Sequence, residues 1–399
     1  MTIQEEPIIS KKSPGRRWGL WLIASPFLLF LLLAILLYLP PVQQFAVHKA
    51  SEIASRSTGL NIGVGRLDLR FPLDLLVRDV FAVEPETNDT LLSLERLKVE
   101  LRLWKLLKKE VEIEEISIRN ATVDTRNFID GMKVKGHLGE LFLESHGVMF
   151  SPETARINEF TVKNTDIALT LGNVSDTDTT TSEPLYCKIL LDEIALENVG
   201  FALRMPKDSL FLRTQLPDVK LKDGVIDLKE ASYFVKSFGI NRAELAYGYH
   251  DELWLEKLGL QVDSVYYRGR DIRAHVNECV FRDRSGLELL STEGRIVSDS
   301  TMISIPKFVM KTQASSLDLQ TRMGWEVLEM KKTGVLSAQI KAEIGKSDVA
   351  KILGGRDTLF LRTYPEKPFR LQVDAEGDLN RLRLRTLQAG LPKGFELKA

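Results

Sequence analysis

From Leu60 onward, apolar and polar residues alternate at period two, in stretches such as NIGVGRLDLRF, LERLKVELRLW and EVEIEEISIRN. Alternation of this kind marks strands with one buried and one solvated face. Strand follows strand with no helix long enough to serve as a crossover, which favours antiparallel pairing. Asp130-Gly131, Asp223-Gly224 and Ser285-Gly286 supply turn signals between the runs. Short helices are expected only near Trp104–Lys109 and Ser347–Leu353. The run GNVSDTDTTTSEP from Gly172 to Pro184 reads as a solvated loop.

One eleven-residue phrase occurs three times, as IEEISIRNATV from Ile113, INEFTVKNTDI from Ile157 and LDEIALENVGF from Leu191. Each copy opens on an apolar residue. Glu follows at offset two, apolar residues at offsets three and five, Asn at offset seven, and a further apolar residue at offset ten. The copies start 44 and 34 residues apart (113 to 157, 157 to 191), so the spacing is not that of a strict solenoid. Leu255, Leu258, Leu260 and Val265 keep the apolar offsets alone. Offsets three and five share parity and therefore one face of a strand. Offset ten has the other parity, and Asn, which tolerates left-handed backbone, stands between them. The unit reads as one strand, a corner and the start of the next, many of which would build a long, curling antiparallel sheet with one apolar face.

The N-terminus is of another kind. Trp18–Leu39, WGLWLIASPFLLFLLLAILLYL, carries no charge, and 22 residues of helix reach about 33 Å, enough to cross a bilayer core. Lys11, Lys12, Arg16 and Arg17 precede it, which keeps residues 1–17 cytoplasmic. Residues 18–39 are thus expected to be a single-pass signal anchor, with the bulk of the chain outside the cytoplasm. Val42, Phe45, Ala46, Ala50, Ile53 and Ala54 recur at helical spacing and Gly59 stops the pattern, so residues 42–58 form an amphipathic helix that caps the β region, residues 60–399.

Charge is balanced, 54 Lys and Arg against 55 Asp and Glu, with no clustered basic face to suggest nucleic acid. Cys187 and Cys279 read as two small apolar residues, a disulfide between them being the alternative. The five histidines lack metal-ligand spacing. Gly345-Lys346-Ser347 lacks the upstream glycine of a phosphate loop, and Gly63-Val64-Gly65 lacks the third glycine of a dinucleotide motif. Glu112, Glu114 and Glu115 read as a solvated edge. No catalytic constellation emerges, and neither enzyme activity nor cofactor nor metal is expected.

Leu39-Pro40 and Val42-Gln43 after the anchor, Thr58-Gly59-Leu60-Asn61-Ile62 at the helix end, FPLDLLVRDV, Asp89-Thr90-Leu91-Leu92 and LKVELRLWKLL followed by VEIEEISIRNATV together resemble the N-terminal part of the AsmA/TamB family of bacterial envelope proteins, in a form common in Bacteroidetes. The likeness covers roughly residues 1–200, and beyond that rests on repeat style, as in AEGDLNRLRLRTL. It implies an inner-membrane anchor and a periplasmic β-groove, or β-taco, similar to the bridge-like lipid transfer proteins. Such a groove would carry phospholipid acyl chains toward the outer membrane in support of outer-membrane biogenesis. Ile116, Ile118, Phe160, Val162, Ile194, Leu196, Leu258 and Leu260 are the expected lining. The C-terminal region by which longer members engage an outer-membrane assembly protein has no counterpart here, and the chain is expected to be incomplete at that end. The alternatives are a scaffold or chaperone for outer-membrane proteins, acting through an open sheet edge, and a closed apolar core that binds nothing.

Overall fold

A computed structural model describes residues 38–399 apart from 71–73, 103–104, 106–107, 109–111, 127, 130, 149–153, 173–186, 209, 249–251, 329–333, 355–357, 379, 392–395 and 399. The anchor expected at 18–39 and the loop at 172–184 therefore lie almost wholly outside the described residues, as does most of the helix near Trp104. Among the described residues no helix is long and apolar enough to cross a membrane.

Helix α1 (Pro40–Thr58) starts on the proline pair and ends at Gly59, whose φ of 73° is the left-handed cap expected there. Among the described residues eighteen strands follow: β1 (Asn61–Arg70), β2 (Asp74–Val83), β3 (Thr90–Leu101), β4 (Ile113–Asp124), β5 (Met132–Val148), β6 (Thr154–Leu171), β7 (Lys188–Met205), β8 (Leu210–Asp227) and β9 (Ser232–Tyr247), then β10 (Leu253–Arg268), β11 (Asp271–Asp283), β12 (Glu288–Ser298), β13 (Met302–Thr312), β14 (Ser316–Gly324), β15 (Val335–Ile344), β16 (Phe369–Asp378), β17 (Leu382–Gly390) and β18 (Glu396–Lys398). Each pairs with the next, and all eighteen form one large, curved, open sheet. Seventeen spacings of ~4.8 Å make it about 82 Å long across the strands. Short helices α2 (Trp325–Leu328), α3 (Lys346–Leu353) and α4 (Thr358–Thr363) decorate strand ends.

Every pair is antiparallel except β6–β7, which is parallel with each residue opposite its counterpart 34 positions on, from Thr154↔Lys188 to Thr170↔Arg204. The second and third copies of the repeated phrase are thus neighbours in register. Gly172 and Cys187 accordingly stand at opposite ends of the pair, hydrogen-bonded to Gly131 and Leu228.

The unit itself differs from the expectation of a strand, a corner and a second strand. Each copy lies within one unbroken strand, and the Asn is a crease inside it: Asn120, Asn164 and Asn198 have φ of 50°, 50° and 54°. One residue is used in the bend, so the alternation shifts parity there without ending the strand. The unbridged position recurs across nine strands, as Gly65, Asp79, Glu95, Asn120, Gly139, Asn164, Asn198, Pro217 and Arg242. Pro217 sits deep in the sheet because no ladder bond is required of it there. Asn198 Nδ2 donates to Asn164 Oδ1 at 3.0 Å, tying two crease residues side by side. A second line of unbridged positions, Asn158, Asp192, Asp223, Lys236 and Ser264, runs beside the first, six residues away along β6 and β7. Asp223-Gly224, expected as a turn between strands, belongs to this second crease in mid-β8, with Asp223 at φ 52° and its carboxylate 2.8 Å from Lys236 Nζ.

Two further expectations change. Glu112 is not a solvated edge: it is 2% exposed and accepts from Arg102 at 2.7 Å, while Glu114 holds the same guanidinium at 2.6 Å. On α1, Phe45 and Ile53 are exposed, at 69% and 62%. The helix instead meets β1 through Gln43, which donates to the Leu69 carbonyl at 3.2 Å, and Ser55, which accepts from Ile62 N–H at 2.9 Å.

Helix α3 is pinned by Asp348, which is 2% exposed. Its Oδ2 accepts from Ser315 Oγ at 2.7 Å, from the Ala314 N–H at 3.2 Å and from Thr312 Oγ1. Burial pushes the carboxyl up, but these donors outweigh it and hold the group below the ordinary carboxylate range. A depressed pKa contributes stability that is present above the unfolded value, about 3.9, and is lost as pH falls through the folded one. The anchor is therefore expected to hold at neutral pH and release below about pH 4. Asp348→Ala should cost α3 about 1–3 kcal/mol at neutral pH and less in acid. Hydrogen exchange would show this as faster opening of α3 and α4 with β14 unchanged; equal protection in the variant would refute the anchoring role.

Candidate functional site

Directly paired residues of neighbouring strands share a face. One row of them can be followed from β1 to β17. It begins Leu69, Leu75, Val99, Ile116, Leu143 and Phe160, passes through Ile194, Leu221, Phe238, Val262 and Val276, and ends Gly294, Phe308, Leu319, Ile340, Val373 and Leu387. Every member is apolar. Glycine is confined to β12, where a Cβ on Gly294 would stand 2.7 Å from the Phe308 ring. A second row runs two residues away on each strand from β1 to β10, and three away on β11, where Asn277 is unbridged: Leu67, Val77, Leu97, Ile118, Leu141, Val162, Leu196, Val219, Ile240, Leu260 and Cys279.

Between the two creases these rows form a floor. Beyond the Asn crease the apolar face continues, for example through Ile167, Phe201 and Leu245, and beyond the second crease through Ile157, Leu191 and Val235. The opposite face of the floor is largely charged. Glu100, Glu115, Glu144, Glu159 and Glu193 follow one another across it, the last four being the repeat's Glu and its partner on β5.

Exposure separates this surface from a closed core. In the long row only Val262 and Gly294 are buried, and the remaining side chains are half-buried. Among the described residues there is one sheet and no second sheet to cover it. Large apolar side chains at strand ends are more exposed still, with Tyr247 at 45% and Leu253 at 43%.

Seven of the eight expected lining residues stand in the two floor rows: Ile116, Phe160 and Ile194 in the long one, Ile118, Val162, Leu196 and Leu260 in the other. Leu258 does not. It lies across the crease, opposite Ala243, and Val262 occupies the place it was expected to fill. Strand β10 runs antiparallel to β6 and β7 in register, so the phrase there reads from C to N: Val265, Val262, Leu260. The contributions of β1–β3, β5, β8, β9 and β11–β17 escaped the sequence reading. A reversed template keeps only its floor positions on β8, Leu221 and Val219, with Gly224 and Thr214 at the wall positions, whereas the forward apolar offsets fit β9, as Val235, Phe238, Ile240 and Leu245.

The thiols of Cys187 and Cys279 are free, and burial raises Cys279 above the ordinary thiol range. Among the described residues, no three His, Cys, Asp or Glu side chains gather as metal ligands, and His48, His137, His146 and His275 are exposed. The site is a surface of apolar rows with no assembled reactive groups among the described residues. Compared with known proteins, the chain matches no family model and no curated protein.

Proposed function

We propose that the sheet curls with its apolar face inward, as a groove that shields phospholipid acyl chains and lets them pass along its length while headgroups stay in water. The observation that carries this reading is the long row itself: seventeen consecutive strands without a polar side chain, most of it half-exposed. Each CH₂ kept from water is worth about 0.8 kcal/mol, so an acyl chain has ample reason to lie on such a surface. Because the row is unbroken, displacement from strand to strand exchanges like contacts for like, and movement needs no chemistry. The creases supply the bends that a gutter requires. The run Trp18–Leu39 would tether the β1 end to a membrane, and the likeness to the AsmA/TamB family makes that the inner membrane, with the sheet in the periplasm and the outer membrane as destination. Pairing of client strands at a sheet edge has less to support it, since α1 lies against β1, the strand at one edge.

Photo-crosslinking in cells tests this on the full chain. A benzophenone amino acid placed at Phe160, Phe238 or Phe308, all in the long row, is expected to capture phosphate-labelled lipid. The same group at Ser237, on the opposite face between Lys222 and Asp263, is expected to capture little. Equal labelling at all four positions, or none, would remove the groove.

A further inference from the structure

The polar face carries a feature that an acyl-chain groove does not use. Arg66 on β1 pairs with Arg78 on β2, Arg78 with Arg96 on β3, and Arg96 with Arg119 on β4. Four guanidinium side chains therefore stand side by side on one face of four consecutive strands, ~5 Å apart at the backbone. Like charges directly opposite one another destabilise a sheet. The same row behaves differently from β5 onward, where Glu140 and Glu197 alternate with Lys163 and the charges compensate: Lys163 Nζ is 2.9 Å from Glu197.

Within the four, compensation is found only at the ends. Arg66 Nε donates to Asp68 at 2.7 Å and Arg119 lies 3.7 Å from Glu140. Arg78 and Arg96, both half-buried, have no hydrogen bond or ion pair with any described residue, and Arg78 Nε is shut off from solvent without an acceptor. A buried donor without an acceptor is unusual in a folded protein and marks a place where a partner belongs. Beside the row lies a cleft of about 430 Å³ that takes in Arg78, Arg96 and Arg119 with Lys98, Asp74 and Glu115. Lys98 and Glu115 satisfy each other at 3.1 Å and Arg119 faces Glu140, so the unpaired guanidinium groups of Arg78 and Arg96 remain in its wall, with the Asp74 carboxylate beside them.

We infer that this arginine row is a binding strip for phosphoryl anions. The planar fork of Arg matches the oxygens of a phosphate in two parallel hydrogen bonds, and a row of forks suits a ligand presented repeatedly along a surface. The strip occupies β1–β4, the strands nearest in sequence to the uncharged run Trp18–Leu39. The phosphates in reach of it are then those of lipid headgroups, free phosphate being the other source of the same chemistry. The polar face would meet the headgroups, independently of anything held on the apolar face.

Calorimetric titration of the full chain in a non-ionic detergent tests the strip, first with inorganic phosphate and then with dihexanoyl phosphatidylglycerol below its micelle concentration. Saturable binding is expected, weakened at least tenfold in Arg78→Gln with Arg96→Gln and several-fold in Arg78→Lys with Arg96→Lys, which keeps the charge and loses the fork. Because the Gln variant also relieves like-charge contact, it should melt at or above the wild-type temperature, so a folding defect cannot imitate the result. The titration repeated with Phe160→Asp separates strip from groove, since loss there alone concerns the apolar face. Phosphate bound and the short-chain lipid refused would overturn the headgroup as source. No binding, or equal binding by wild type and the Gln variant, would overturn the strip.

Discussion

Asn164→Val is expected to cost the fold about 2–3 kcal/mol, whereas Asn164→Gly should cost less than about 1. The left-handed backbone at φ 50° penalises an ordinary L residue by about 1–2 kcal/mol and a β-branched one more severely. The bond from Asn198 Nδ2 to Asn164 Oδ1 adds about 1 kcal/mol that Val forfeits. Glycine loses that bond but adopts the conformation freely. The opposing strand makes the site stricter still. A Cβ on Gly139 would stand 2.6 Å from the Asn164 carbonyl oxygen and 2.8 Å from that of Lys163, and neither backbone atom can retreat without opening the β5–β6 ladder. Gly139→Ala is therefore expected to lose about 3 kcal/mol, at the upper end of ordinary overpacking. Thermal melts of the full chain would order the variants Gly, then Val, then Gly139→Ala. If Asn164→Val melts with the wild type, the crease is not the strained bend described here.

That crease also explains how much of the fold could be read from the sequence. The repeated phrase is a transcript of a strand crossing three facets: offset zero on one wall, three and five on the floor, ten on the other wall. Its Asn marks one bend, and Asn158 or Asp192, just ahead of the Glu, marks the other. Alternation and the Asn were legible because their causes are local, in side-chain parity and in left-handed backbone. The parity shift at offset ten was legible too, but a turn and a crease both absorb one residue, and only pairing partners tell them apart. Asp223-Gly224 was misread for the same reason. Non-local facts stayed out of reach. Nothing in INEFTVKN says that its neighbour is a parallel copy of itself, and nothing in Leu258 says that its strand runs the other way. Position in the row, and hence membership of the candidate site, is fixed by register, which a chain written in one dimension does not display.

Register also decides where a single charge would do most harm. Phe238 sits in mid-row on β9, half-buried, between Leu221 and Val262, so an aspartate there can reach water and leave the sheet folded. Val162, at 8% exposure, is a poorer choice, because a carboxylate in its place would be buried and would destabilise the protein itself. For an acyl chain, passing a carboxylate in an otherwise apolar path costs several kcal/mol, and each 1.4 kcal/mol is a factor of ten. Phe238→Asp is therefore expected to cut lipid passage by about 100-fold or more with little change in melting temperature. Static binding and conduction then predict different patterns of labelling. If lipids only adhere to the face, the loss is confined to the neighbourhood of β9, and crosslinkers at Phe160 and Phe308 capture as before. If lipids enter near β1 and travel, Phe160 remains labelled while Phe308, beyond the block, falls silent. Persistence of full labelling at Phe308 in the folded Phe238→Asp chain would show that the row is a surface and not a path, and would leave the sheet as a lipid-coated scaffold.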